Sequence, residues 1–127
     1  MKIAEVSKRY GVSTDTLRYY ERVGLLRHVP RNKSGIRDYD EASCNAVEFV
    51  KCMRDAGMTI ESLVEYMDLL ERGDETTQAR KDLLLRQSEE IRQRIEDLER
   101  ALTRLQFKID HYDEVMAESE RALRPEE

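Results

Sequence analysis

The chain has 127 residues, of which 39% are apolar and 39% are charged, and its formal net charge is −5. This length fits one small domain, or a small domain with an extended element, and such dense charge indicates long, surface-rich helices. No membrane span or signal peptide is evident, so a cytoplasmic location without membrane contact is expected. Two cysteines without a CxxC spacing and two histidines disfavour a disulfide scaffold and a zinc site. No cofactor is expected.

Charge is divided unevenly along the chain. Residues 1–40 hold nine Lys or Arg against five acidic residues, a net +4, whereas the remainder carries −9. A basic segment joined to an acidic one is typical of a protein that binds a polyanion through one end only. Random clustering in a highly charged chain is the competing interpretation, and charge alone does not exclude it.

Residues 2–26 predict two short helices joined by a tight turn. The first ends at Gly11, a residue that favours the left-handed backbone of a helix C-cap. Ser13 is a suitable N-cap for the second helix, which stops at Gly24. Helix, glycine turn and capped helix within so short a segment are typical of a helix-turn-helix.

The outward face of the second helix carries groups suited to a DNA groove. Thr14, Arg18 and Arg22 follow one another at four-residue spacing, with Tyr19 on the adjacent row. Such a face offers donors and an aromatic ring, as a recognition helix requires. An ordinary solvated helix face remains the alternative for this helix taken alone.

Residues 27–40 predict a short basic hairpin. The segment contains Pro30 and Gly35 at positions that favour a turn. It also carries four of the basic residues: Arg27, Arg31, Lys33 and Arg37. A basic hairpin after a helix-turn-helix is typical of a wing, which reaches phosphates or the minor groove beside the recognition helix.

The motifs LRYYERVGLL at 17–26 and GIRDYD at 35–40 resemble the winged helix-turn-helix of the MerR family of transcription regulators. The resemblance implies a regulator rather than an enzyme, with double-stranded promoter DNA, a second copy of the chain and promoter-bound RNA polymerase as partners. It makes four residues the leading candidates for DNA contact: Arg18, Tyr19, Arg37 and Tyr39. Further candidates are Ser13, Arg31 and Lys33 for phosphates, and Thr14 on the outward face.

Residues 41–72 predict a second helical pair. The first helix runs from about residue 41 to 56, and Thr59 can cap the second. Both helices are amphipathic, so their apolar faces are expected to complete a small core. The predicted DNA-binding head therefore spans residues 1–72, with the wing at about 27–40.

Residues 77–118 predict one long helix with a heptad repeat. Nine of the ten a and d positions between Leu84 and Met116 are apolar, which is a strong coiled-coil signal. A second copy of the chain is the simplest partner; the family resemblance implies an antiparallel pair, although the sequence leaves the orientation open. The predicted interface comprises Leu84, Ile91, Ile95, Leu98, Leu102, Leu105, Ile109 and Tyr112. The predicted fold class is thus all-α with a small β wing, and residues 119–127 are expected to be frayed.

The two cysteines, Cys44 and Cys52, lie on the same predicted helix. The helical wheel predicts that Cys44 is exposed and that Cys52 lies near the edge of the apolar cluster. The string VKCMRDAGMTIESLVEYM at 50–67 resembles the MerR branch that responds to aldehydes and nitric oxide through a single cysteine. It implies that modification of Cys52 changes how the head packs on the dimer helix and how bound heads distort the promoter. The absence of cysteines after Cys52 disfavours metal sensing, as found in other branches.

Other interpretations remain open at this stage. A regulator of this family could sense a different small ligand, or a redox signal, without cysteine chemistry. A coiled-coil adaptor would explain residues 77–118 but would leave the basic wing unused. An enzyme is not supported, since the sequence contains no paired His/Cys arrangement, no glycine-rich phosphate loop and no cluster of metal ligands.

Overall fold

The computed structural model describes residues 1–125, most of which are helical. The connections between helices are short except for the wing segment from residue 24 to residue 40, and a 3-10 turn, Asp74–Thr76, precedes the longest helix. In chain order the helices are α1 (Ile3–Tyr10), α2 (Thr14–Val23), α3 (Glu41–Asp55), α4 (Ile60–Glu71), α5 (Thr77–Asp110), a π-helical turn (Tyr112–Met116) and α6 (Ala117–Leu123).

Extended pairing among residues 1–125 is confined to one antiparallel bridge, between Arg31 and Arg37. This bridge closes the hairpin between α2 and α3. The prediction of an all-α fold with a small β wing is therefore confirmed. None of the helices in the same range combines the length and the apolar character needed to cross a bilayer.

Side-chain caps set the starts of three helices. The Ser13 hydroxyl accepts from the Thr16 amide at 3.1 Å, the Asp40 carboxylate from the Ser43 amide at 2.8 Å, and the Thr59 hydroxyl from the Ser62 amide at 3.1 Å. Each cap satisfies a backbone donor that has no partner within its own helix. Gly11 ends α1 with a φ of 67°, in the left-handed region where glycine is favoured.

The chain divides into two compact units, residues 1–87 and the residues from Ser88 onward. The first unit has its own core, to which α1–α4, the connecting loops and the start of α5 contribute. Its completely or almost completely buried side chains are Val6, Leu17, Leu25, Leu26, Val47, Val50, Leu63 and Leu83. Leu84, the first residue of the predicted interface, packs against this core and is only half-buried.

The second unit contains the rest of α5, the π-helical turn and α6. The sequence predicted one helix to residue 118, whereas α5 ends at Asp110. Beyond it, the Tyr112 hydroxyl donates to the Glu120 carboxylate at 2.7 Å. The tail predicted to be frayed begins at residue 119, but residues 119–123 are helical as part of α6. The last two residues of that tail, 126 and 127, lie outside the described residues.

Candidate nucleic-acid interface

The exposed face of α2 carries two of the four leading candidates for DNA contact, Arg18 and Tyr19. Arg18 is exposed, and its guanidinium lies 3.2 Å from the Asp15 carboxylate one turn earlier. Tyr19 is 38% exposed, and the Arg22 guanidinium lies 5.3 Å from the centre of its ring. These contacts are solvent-accessible, so the cost of exchanging them for phosphate or base contacts is low.

The other two candidates at the start of α2 have different surroundings. The Ser13 hydroxyl is exposed but already serves as the helix cap. Thr14, the first residue of α2, is half-buried. Both lie at the N-terminus of α2, where unpaired backbone amides favour an anion such as phosphate.

The wing is built around Asn32. Its side-chain oxygen accepts from the backbone amides of Ser34 at 2.9 Å and Ile36 at 3.1 Å. The backbone amide of Asn32 donates to the Ile36 carbonyl at 2.8 Å. Such a turn is typical of asparagine, whose side chain competes for nearby backbone groups. Lys33 is exposed at the tip of this turn, in a position to reach a phosphate.

Glu21 connects the wing to α2. Its carboxylate accepts from the Arg37 Nε at 2.7 Å and lies 3.6 Å from an Arg31 nitrogen. Arg37 is therefore partly buried and engaged, and it acts as an anchor of the wing as well as a candidate contact. Glu21 was not among the predicted site residues, although an acidic residue on a helix otherwise rich in candidate DNA-binding groups was a signal in the sequence.

Tyr39 lies in the core and not on the surface. It is 2% exposed, and burial raises the pKa of its hydroxyl, which has no hydrogen-bond partner among the described residues. The sequence predicted a DNA contact at Tyr39, and the structure does not place it where DNA could reach it. The physical reason is area: an aromatic ring is a large apolar surface, and a small head gains more by burying it.

The two cysteines differ in accessibility, and the prediction for Cys44 was wrong. Cys44, predicted to be exposed, is 8% exposed and lies beside Tyr10 of α1. The buried residues of α3 are Ser43, Cys44, Val47 and Val50, and α1 packs against this helix, so Cys44 is covered by a segment that the helical wheel does not include. Cys52 is exposed on the last full turn of α3.

The residues around Cys52 border the turn of the helix-turn-helix. Lys51 donates to the Asp55 carboxylate at 3.0 Å, and its side chain passes close to Gly11. A shallow recess here is lined by the turn and by the end of α3, with Lys51 and Arg54 on one side and Ser13 on the other. Lys51, the neighbour of Cys52 in sequence, therefore connects the end of α3 to the turn before α2. Within residues 1–125 no three His, Cys, Asp or Glu side chains lie close enough to hold a metal ion.

Two family models match the chain. One, described as MerR HTH family regulatory protein, covers residues 1–70, and the other, described as MerR, DNA binding, covers residues 45–107. Together they extend over the recognition helix, the wing, α3, α4 and most of α5.

The chain is also similar to individual transcription regulators. AdhR of Bacillus subtilis is 56% identical over 84 residues, which are 66% of this chain and 60% of that regulator, so the match spans less than two thirds of its length. The mercuric resistance operon regulatory protein of Bacillus cereus is 30% identical over 99 residues, covering 78% of this chain and 75% of that protein.

Solved structures agree with these matches. A regulator from Listeria monocytogenes has a TM-score of 0.78 and 41% identity, covering 97% of this chain and 93% of that one. HiNmlR, solved bound to promoter DNA and described as lacking the sensor domain, has a TM-score of 0.74 and 27% identity, covering 91% and 92%. The proteins compared here are transcription regulators and not enzymes.

Proposed function

This chain belongs to the MerR family of DNA-binding transcription regulators, and on that premise we propose that it is a homodimeric promoter regulator that responds to thiol-reactive electrophiles through Cys52. The observation that carries the proposal is the contrast between the two thiols: Cys52 is exposed near the end of α3, and Cys44 is buried. A reagent in solution therefore has one accessible thiol, on the helix whose Lys51 borders the turn before α2.

DNA recognition is assigned to α2 and the wing. Arg18 and Tyr19 are exposed on α2 and would face the major groove, where a guanidinium can bind guanine or phosphate. Arg31 and Lys33 are exposed on the wing and would bind phosphates. Arg37 would contribute mainly through Glu21, by fixing the wing against the recognition helix.

Dimerisation is assigned to α5 beyond residue 88. Five apolar side chains at the heptad positions are between 51% and 69% exposed in the single chain: Ile95, Leu98, Leu102, Leu105 and Ile109. A narrow apolar stripe of this length favours a partner helix, and the same helix of a second copy supplies a matching one. An antiparallel pair would separate the two heads so that each binds one half-site of a promoter.

The chemistry proposed at Cys52 is addition or exchange at sulfur. The thiolate adds to the carbonyl carbon of an aldehyde, and the oxygen takes up a proton to give a hemithioacetal, with no change in oxidation state. An S-nitrosothiol instead transfers its nitroso group to the Cys52 sulfur, and the donor leaves as a thiolate. Either product places a new group next to Lys51 and changes how the heads distort promoter DNA, on which RNA polymerase would then act.

A cysteine variant tests the sensor. Cys52→Ser should bind its own upstream promoter with unchanged affinity but lose transcriptional induction by formaldehyde and by a nitric-oxide donor. Cys44→Ala is the matched control and should keep induction, because its thiol is buried. Mass spectrometry of the treated protein should place the adduct on Cys52. Full induction of Cys52→Ser would overturn the sensor proposal and favour sensing of a different ligand.

A salt titration tests DNA binding separately. Affinity for a dyad-symmetric promoter fragment should fall steeply with added salt, because each phosphate contact releases counterions. An Arg31→Ala, Lys33→Ala double variant should reduce the slope of log affinity against log salt by about 2. A protein that fails to bind its upstream region at low salt would be better explained as a coiled-coil adaptor.

A further inference from the structure

An apolar recess lies in the head, away from both the recognition face and Cys52. The loop that leaves α2 forms one wall, and the start of α3 and the end of α4 form the others, enclosing about 190 Å³. Its floor is part of the core, since Leu25, Leu26 and Met67 are 1%, 2% and 8% exposed. The recess is therefore a half-open groove whose floor is formed by buried side chains of the core.

The mouth of the recess is polar, and its charged groups are paired. His28 and Glu71 contact each other there, and Arg27 lies 3.2 Å from Glu71 and also pairs with Asp68. Deeper in, the Ser43 hydroxyl donates to the His28 carbonyl at 3.2 Å. The interior consequently offers apolar carbon to a ligand and no uncompensated charge.

We propose that this recess binds one small, uncharged and mostly apolar molecule, between benzene and a six-carbon alcohol in size. The volume supports this range, because an apolar cavity of about 150 Å³ is sufficient to hold benzene. A carboxylate or ammonium ligand is disfavoured, since it would lose its hydration without gaining a partner.

The position of the recess connects it to the DNA-binding surface. The loop from Leu25 to Val29 lines it and leads directly from α2 into the wing. Arg27 holds this loop, with its Nε donating to the Gly24 carbonyl at 2.7 Å and its other nitrogens reaching α4. A molecule seated against Leu26 and Val29 would shift the wing relative to α2. This consequence rests on the proposed DNA-binding function, whereas the binding itself does not.

A titration of the whole 127-residue chain tests binding. Benzene and 1-hexanol are added to protein labelled at methionine and alanine methyl groups, and the Met67 and Ala46 signals are followed by NMR. Saturable shifts confined to the recess are expected. Ala46→Leu should weaken binding by about tenfold or more, because its three extra carbons occupy the volume that the ligand would take. Ala79→Leu, at an exposed position of α5, is the control and should bind like the original chain.

A second variant keeps the test valid if Ala46→Leu folds poorly. Ala42→Leu extends over the exposed side of the recess without touching the core, and it should also weaken binding. The absence of saturable shifts, or equal affinity in the original chain and in a folded recess variant, would overturn the proposal. Neither result would affect the promoter-binding and Cys52 experiments. Binding that leaves operator affinity unchanged would overturn only the effect on the wing.

Discussion

The two units of this chain differ in how much of their apolar surface is buried within the single chain. In residues 1–87 most of the large apolar side chains are buried against one another, from Val6 in α1 to Leu83 in α5. From Ser88 onward α5 carries apolar residues at regular spacing, and most of them are more than half exposed. The first unit buries most of its apolar surface within one chain, whereas the second leaves an apolar stripe exposed, which is the basis of the proposed dimer.

A charge placed in the exposed stripe should produce the largest effect. Leu102→Glu would place a carboxylate in the proposed seam of both copies, where its desolvation is not compensated. We expect dimer affinity to fall by about 100-fold or more, and operator binding to fall with it. Sedimentation velocity measures the first quantity and a gel shift the second.

The control for this variant is Thr103→Glu, on the next residue but outside the a and d positions. It should remain dimeric, and the head of both variants should stay folded by near-ultraviolet circular dichroism. A dimeric Leu102→Glu protein would remove the contrast between the two units, because the stripe would then not be the interface.

Removal of a core side chain tests the packing of the first unit, residues 1–87. Leu63 is completely buried in α4, so Leu63→Ala should lower the free energy of unfolding by about 2–5 kcal/mol. Leu70→Ala, on the same helix at a residue that is 45% exposed, should cost less than about 1.5 kcal/mol. Urea unfolding at one fixed protein concentration compares them, since dimerisation adds to apparent stability. Equal costs would contradict a packed core in the head.

Glu21 offers a smaller and more specific test within the head. If only net charge mattered, Glu21→Gln would strengthen DNA binding by removing a negative charge. Because Glu21 holds Arg37 and Arg31, we instead expect affinity to fall by about three- to tenfold, equivalent to about 1 kcal/mol. Glu5→Gln removes the same charge from α1 and is the control; fluorescence anisotropy with labelled operator measures both. A gain in affinity for Glu21→Gln would exclude the anchoring role.

Acidification should give the smallest effect, and it should be confined to the head. Hydrogen bonds from Ser43 lower the pKa of Asp40, and hydrogen bonds from His28 and Arg27 lower that of Glu71. A carboxylate whose pKa is lowered by folding stabilises the protein above its ordinary pKa, and this stabilisation is lost as pH falls through the lowered value. The melting temperature should therefore be constant down to about pH 5 and decrease below it.

Asp40→Asn checks the origin of this dependence. Asparagine can also cap α3 but does not titrate, so the variant should lose less stability between about pH 5 and pH 3 than the original chain. An identical pH profile for the two proteins would mean that Asp40 contributes nothing to it.

Local signals predicted the helices of the head well. The caps at Ser13 and Thr59 and the glycine after α1 are read directly from short motifs, and each lies at the predicted boundary. The end of α5 at Asp110 was not predictable in this way, because the heptad pattern continues to Met116 without a glycine or proline. A repeat of apolar residues indicates which face is apolar and does not fix where the backbone turns.

The exposure of the candidate site residues was predicted less well than the helices of the head. Tertiary packing is the reason for the errors at Tyr39 and Cys44. Arg18, Tyr19 and Lys33 are exposed as a DNA contact requires. Tyr39 and Cys44 are buried, because their environments come from segments distant in sequence. A helical wheel compares a residue only with its own helix and therefore cannot show that α1 covers Cys44.

The ion pairs at Glu21 have a practical consequence for redesigning operator specificity. The Glu21 carboxylate on α2, the proposed recognition helix, pairs with two arginines of the wing. The position of the wing therefore depends on α2. A chimaera that receives a new recognition helix without an acid at position 21 would release its wing. Position 21 and positions 31 and 37 should accordingly be exchanged together, as one transferable cassette.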